Sequence, residues 1–225
     1  MTWFAELYRN AVVKKAIMAV TGLILFGWLA GHLLGNLKVF QGAEKFNAYA
    51  EYLRTMGTPL LPDSGVLWIA RGLLAASVVL HIWSATSLTL TNRRARSTDY
   101  EKRHGVQLDY AARTMRWSGY LIAFYIVYHL MHLTWGNVHH NFIAHNPYAN
   151  LVSGFQILPV ALVYIGANLL LGMHLYHGLW SLFQSLGLNH PSYNAGRRTF
   201  AVTFAIVMSL GFMSIPVAVL LGVIS

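Results

Sequence analysis

An all-α bundle of five transmembrane helices is the fold class this sequence predicts, on three observations. Of its 225 residues 56% are hydrophobic and only 10% charged, with a mean hydropathy of +0.48, too apolar for an ordinary soluble domain. Five apolar runs, about 15–37, 66–91, 117–137, 155–186 and 198–223, are each long enough to cross a hydrocarbon core of roughly 30 Å at about 1.5 Å per helical residue. The basic residues gather in alternate connections between these runs. The chain, 1–225, therefore reads as a single membrane domain.

Ahead of the first run, Trp3, Phe4, Leu7, Tyr8 and Ala11 recur at helical spacing with Glu6, Arg9 and Asn10 between them. That pattern predicts a short helix over 1–13 lying on the membrane surface. A cleaved secretory signal is disfavoured, because the apolar run that follows is too long and no small-residue cleavage site closes it. In the first span Gly27, Gly31 and Gly35 recur every fourth residue beside His32, a smooth strip that admits another backbone or a flat macrocycle. A short amphipathic helix is predicted over 43–54, with Phe46, Ala50 and Leu53 on one face, before Pro59, Pro62 and Gly65 end it.

The second span carries Arg71 near one end and His81 further in. Arg71 can snorkel to the interface or pair with an anionic group such as a haem propionate. The basic stretch 92–116 reads as a loop and helix lead-in. The third span holds His129 and His132, and the polar connection 137–153 holds His139, His140 and His145, read as solvated loop residues. The fourth span holds His174 and His177. A break over 187–194, with Pro191, leads to a fifth span that has no histidine.

Charge orients the bundle. Twelve of the sixteen Lys and Arg residues fall on the side of the N-terminus, leaving Lys38, Lys45, Arg54 and Arg71 opposite. This predicts a cytoplasmic N-terminus and an outer C-terminus in a cell inner (cytoplasmic) membrane. The formal charge of +9 is then a topology signal and not a nucleic-acid footprint. The basic face also offers a docking surface for a cytoplasmic partner.

The histidines carry the functional signal. An imidazole in hydrocarbon is costly and marks a site whose partner sits on a neighbouring helix. Counting along the helices puts His32 and His129 or His132 in the outer half, and His81 and His174 or His177 in the inner half. Two layers, each fed by two helices, are what two stacked bis-histidine haems require. Depth leaves the choices 129/132 and 174/177 open. With no cysteine, disulfides, thiolate-ligated haem, iron–sulfur clusters held by this chain and covalent C-x-x-C-H haem attachment are excluded. A histidine-lined metal transporter is the competing class; one for hard cations would need carboxylates on the spans, and there are none.

Five pieces then resemble a known family: KKAIMAVTGL at 14–23, GHLLGNLKVFQGAEKFNAYAEYL at 31–53, VVLHIW at 78–83, YHLMHLTWG at 128–136 and GMHLYHGLWSLFQSLGLN at 172–189. In this the chain resembles the single-chain, five-helix, two-haem cytochrome b subunit that anchors succinate dehydrogenase and quinol:fumarate reductase. The resemblance implies that His32 and His129 ligate the outer haem b, and His81 and His174 the inner. His132, His177 and Arg71 become residues around the ligands or propionates. It also implies a flavoprotein subunit holding the succinate site, an iron–sulfur subunit feeding electrons through the inner and then the outer haem, and a membrane quinone, menaquinone in such proteins. Glu51, with Glu44 second, is the candidate for exchanging protons with the quinone; Asp63 is the remaining carboxylate on that side. The alternative within redox proteins is the dihaem anchor of another quinone-linked dehydrogenase, such as a hydrogenase or formate dehydrogenase.

Overall fold

The computed structural model describes residues 10–95, 106–188 and 190–225, and every regular element among them is helical. Helix α1 (Ala11–Asn36) leads through a 3-10 turn (Leu37–Gln41) to α2 (Ala43–Thr55). Helix α3 (Gly65–Arg94) follows, then α4 (Val106–His129), which ends in a wide π turn (Leu130–Thr134). The short α5 (Pro147–Phe155), α6 (Leu158–Ser185) and α7 (Pro191–Leu220) complete the chain.

Among the described residues four helices are long and apolar enough to cross a membrane: Ala11–Gln41, Gly65–Arg94, Leu158–Ser185 and Pro191–Leu220. This is a multi-pass membrane protein. The stretch expected as a third span is the last part of α4 with the π turn, where Tyr120, Tyr125, Tyr128, His129 and His132 dilute the apolar run. Large side chains such as Trp68, Phe124 and Leu210 are exposed, as helices that satisfy their own backbone hydrogen bonds can be in lipid.

Element ends differ from the sequence reading mainly at prolines. Pro191 was expected to fall in a break before a span at 198–223; it opens α7 instead, with the His190 side chain accepting from the Ser192 N–H at 3.2 Å. Proline suits the first helical turn because its missing N–H would be unpaired there in any case. The expected span 155–186 is divided for the same reason: Phe155 closes α5, and a new helix begins at Leu158 with Pro159 in its first turn. The connection 137–153 was read as a polar connection with solvated loop histidines; within it Pro147 opens α5, and the Asn146 side chain accepts from the Ala149 N–H at 3.1 Å. The surface helix expected over 1–13 lies largely outside the described residues; Asn10 caps α1 by accepting from Val12 at 2.8 Å. The helix expected over 43–54 forms, with Gly42 at φ +93° starting it.

The helices pair as α1 on α3, α4 on α6 and α6 on α7, with α1 also reaching α6 and α7. Small residues set these approaches. The Ser84 hydroxyl donates to Lys14 O at 2.5 Å, tying α3 to α1, and the Ser209 hydroxyl donates to Asn168 O at 2.7 Å, tying α7 to α6. The densest apolar core lies away from the start of α1, at what we call the far end. There Val39, Phe46, Leu151, Phe155, Ile215 and Val219 come together from four elements.

At Gly172 a Cβ would lie 2.9 Å from Ser209 Oγ and 3.1 Å from its Cβ, whereas at Gly72 it would meet nothing within 4 Å. Gly172→Ala is therefore expected to force α6 from α7 and lower stability by about 1–3 kcal/mol, read as a reduced unfolding midpoint in detergent, while Gly72→Ala leaves that midpoint unchanged or slightly raised.

Candidate cofactor site: two histidine pairs between the helices

Four of the sequence-predicted histidines meet in two pairs. His32 of α1 faces His129, the last residue of α4, with ring centroids 6.0 Å apart and planes at 86°. His81 of α3 faces His174 of α6 at 6.4 Å and 67°. The pairs occupy different levels: Thr21, which touches His81, and His32 are eleven residues apart on α1, about 16 Å along the axis.

The surroundings of the two pairs differ. At the far pair, Trp28 stacks beside His32 at 6.0 Å and Phe212 lies at 5.9 Å, while Tyr125 and Tyr164 each lie 5.8 Å from His129. His129 Nδ1 is buried and meets no hydrogen-bond partner among the described residues. At the near pair, His81 Nδ1 lies 3.2 Å from the Thr21 hydroxyl, and His174 Nδ1 lies 3.4 Å from that of Ser118.

A metal-bound imidazole nitrogen sits about 2.0 Å from its ion and the ring centre roughly 1 Å further, so two rings on opposite sides of one ion have centroids about 6 Å apart. Both pairs have that separation, and each brings imidazoles from two helices. No group of three or more His, Asp or Glu side chains that could hold a metal ion occurs among the described residues. The donor set therefore suits an ion whose equatorial positions are filled by something other than protein, as in a porphyrin.

The glycine strip does not act as a seam between spans. A Cβ at Gly27 or Gly31 would meet nothing within 4 Å, whereas one at Gly35 would come 2.8 Å from Tyr49 of α2. The strip thus seats α2 at one end, while Gly27 and Gly31 lie on the exposed face of α1.

Beyond the far pair lies a polar cluster whose members the sequence reading named separately and did not bring together. His132, 1% exposed, has Nδ1 3.0 Å from the Tyr164 hydroxyl, and its ring is stacked between Tyr128 at 5.6 Å and His139 at 4.7 Å. His139 was expected to be a solvated loop residue; it is buried, donating from Nε2 to Asn150 O at 2.8 Å and accepting at Nδ1 from the Asn141 N–H at 3.1 Å. The loop folds back because Asn150 pairs with both backbone groups of Ile143, at 2.7 and 2.8 Å. His140 and His145 are exposed as expected. Spacing could not reveal His139, since what buries it is the side-chain bonding of Asn150.

The other candidates stand apart from the pairs. Glu51 is exposed on α2 and bridges to Arg54 at 2.8 Å. Glu44 and Asp63 are exposed too. The Arg71 guanidinium lies over the Trp68 ring at 4.8 Å on the surface of α3. The half-buried His177 has its ring 4.9 Å from that of Tyr176.

The chain matches no protein-family model, no curated protein and no solved structure.

Tyr164→Phe removes the hydroxyl that faces buried His132 Nδ1. Stability is expected to fall by about 1–3 kcal/mol from the unsatisfied nitrogen, read as a lowered unfolding midpoint; an unaltered midpoint would show that this bond contributes nothing to holding the loop.

Proposed function

We propose that this chain is the membrane-anchor cytochrome b subunit of a succinate:quinone oxidoreductase, holding two b haems, each between two imidazoles. One observation carries the reading: four histidines from four helices stand as two pairs, at 6.0 and 6.4 Å between ring centroids, on two levels. His32 and His129 are the residues that would hold the outer haem, and His81 and His174 the inner. The partnerless buried nitrogen of His129 supports a ligand there. When bound, such a group supplies one-electron exchange at iron. The chain's own contribution is to present neutral imidazoles, exclude water with apolar helices and surround the far pair with Trp28, Tyr125 and Phe212.

The five-piece resemblance selects the succinate dehydrogenase and fumarate reductase type over the anchors of hydrogenases and formate dehydrogenases. In this reading the chain crosses a cytoplasmic membrane five times, with the end of α4 and the π turn as the third crossing and the N-terminus inside, as the twelve-to-four distribution of basic residues supports. Its partners are a flavoprotein subunit, an iron–sulfur subunit and membrane menaquinone; Glu51 exchanges protons with the quinone, and His132, His177 and Arg71 tune the haem surroundings. The absence of three-residue metal groups among the described residues weighs against a metal transporter.

A reduced-minus-oxidised spectrum of the detergent-purified chain, with haem counted, is expected to give two b-type haems per chain, and His32→Ala or His174→Ala one. A colourless protein overturns the reading. Glu51→Gln is expected to reduce quinone turnover at least tenfold with both haems retained; unchanged turnover removes Glu51 from the reaction.

A further inference from the structure

Resting on the bis-histidine reading, we propose that Thr21 and Ser118 are positioning residues for the inner pair alone, each holding the Nδ1–H of one imidazole so that Nε2 carries the free lone pair. A hydroxyl has one hydrogen to donate and two lone pairs. The Thr21 hydroxyl faces the backbone oxygens of Ile17 at 2.7 Å and Met18 at 3.2 Å, and the Ser118 hydroxyl faces Met115 O at 3.1 Å. Those carbonyls can only accept, so each hydroxyl gives its hydrogen to its own helix. What each turns to the imidazole is an acceptor. His81 Nδ1, 3.2 Å from Thr21, and His174 Nδ1, 3.4 Å from Ser118, must then bring the hydrogen. A neutral imidazole has only one, which leaves Nε2 bare in both rings.

The same device is built twice. Each hydroxyl residue is followed by a glycine, Thr21-Gly22 on α1 and Ser118-Gly119 on α4. A Cβ at Gly22 would lie 3.4 Å from His81 Cε1, and one at Gly119 would lie 3.4 Å from His174 Cε1. The hydroxyl thus anchors one ring nitrogen while the glycine leaves a floor against which the ring edge rests. Helices α1 and α4 carry the outer histidines and, some eleven residues earlier, orient the inner histidines of α3 and α6. The outer pair has no counterpart among the described residues: His129 Nδ1 meets no partner there, and the His32 ring lies against Trp28 and Phe212.

Two consequences follow from the chemistry of an imidazole whose Nδ1–H is hydrogen-bonded. Its Nε2 becomes a stronger electron donor, which favours ferric iron and lowers the potential of the centre it ligates. Its rotation about the Cβ bond is also restrained, which holds the angle between the two ring planes. Removing either hydroxyl should therefore alter the inner centre and leave the outer one as it was.

The test is a redox titration with low-temperature electron paramagnetic resonance of the haem-loaded full chain, comparing Thr21→Val and Ser118→Ala with Thr21→Ser and Ser118→Thr. The inner haem is assigned as the signal that His81→Ala removes. The hydroxyl-free variants are expected to raise the midpoint potential of that haem and shift its low-spin signal, with the outer haem unmoved, and the hydroxyl-bearing variants to restore both. Ser118→Ala removes a single oxygen and reads the effect even where Thr21→Val fails to accumulate. Two haems with neither signal displaced, or with the outer one displaced instead, overturn the positioning role while leaving the bis-histidine reading intact. A wild-type chain without haem overturns both.

Discussion

An imidazole between apolar helices has little to bond to: the backbone is already paired within each helix, and lipid offers neither donor nor acceptor. Most of the architecture follows from how this chain meets that constraint. His32, His81, His129 and His174 are brought together in twos, each ring against one from another helix. The contacts of α1 with α3 and of α4 with α6 leave room at both levels for paired rings.

The two levels meet the constraint differently. At the near level, hydroxyls at 3.2 and 3.4 Å supply an oxygen to each ring. At the far level the rings lie among aromatic neighbours, beside the densest part of the core. The far level also backs onto the stack of Tyr128, His132 and His139, held by Tyr164 and by the bonds from Asn150 to Ile143. The two pairs are therefore unequal in hydrogen bonding and polarity, the properties through which surroundings tune an imidazole as a donor.

Glycine has separate uses along the bundle. Gly172 and Gly211 let α7 approach, the first against Ser209 and the second facing Leu33 of α1. Gly22 and Gly119 lie under imidazole edges, and Gly154 leaves space for His132, whose Cε1 would be only 2.7 Å from a Cβ there. Gly27 and Gly31 face open space. A sequence pattern of small residues every fourth position is compatible with all three uses, and the partner across the gap decides among them.

By itself the sequence determined the membrane character, the all-helical class, the short helix after the first span and the six histidines within apolar runs. These are properties of hydropathy and of position along one helix, so they need no knowledge of neighbours. Counting depth along helices also sorted the histidines into two levels, because the rise per residue is constant. Depth left open which ring faces which, and only the resemblance favoured His129 over His132; the tertiary structure shows that His129 opposes His32, that His132 is bonded to Tyr164, and that loop residue His139 is buried. Helix rotation and side-chain bonding across elements settle those questions, and neither is written in the periodicity of a single segment. Thr21 and Ser118 show the same limit, since in the sequence each is one small polar residue in an apolar run, and only the neighbouring helix reveals the imidazole it faces.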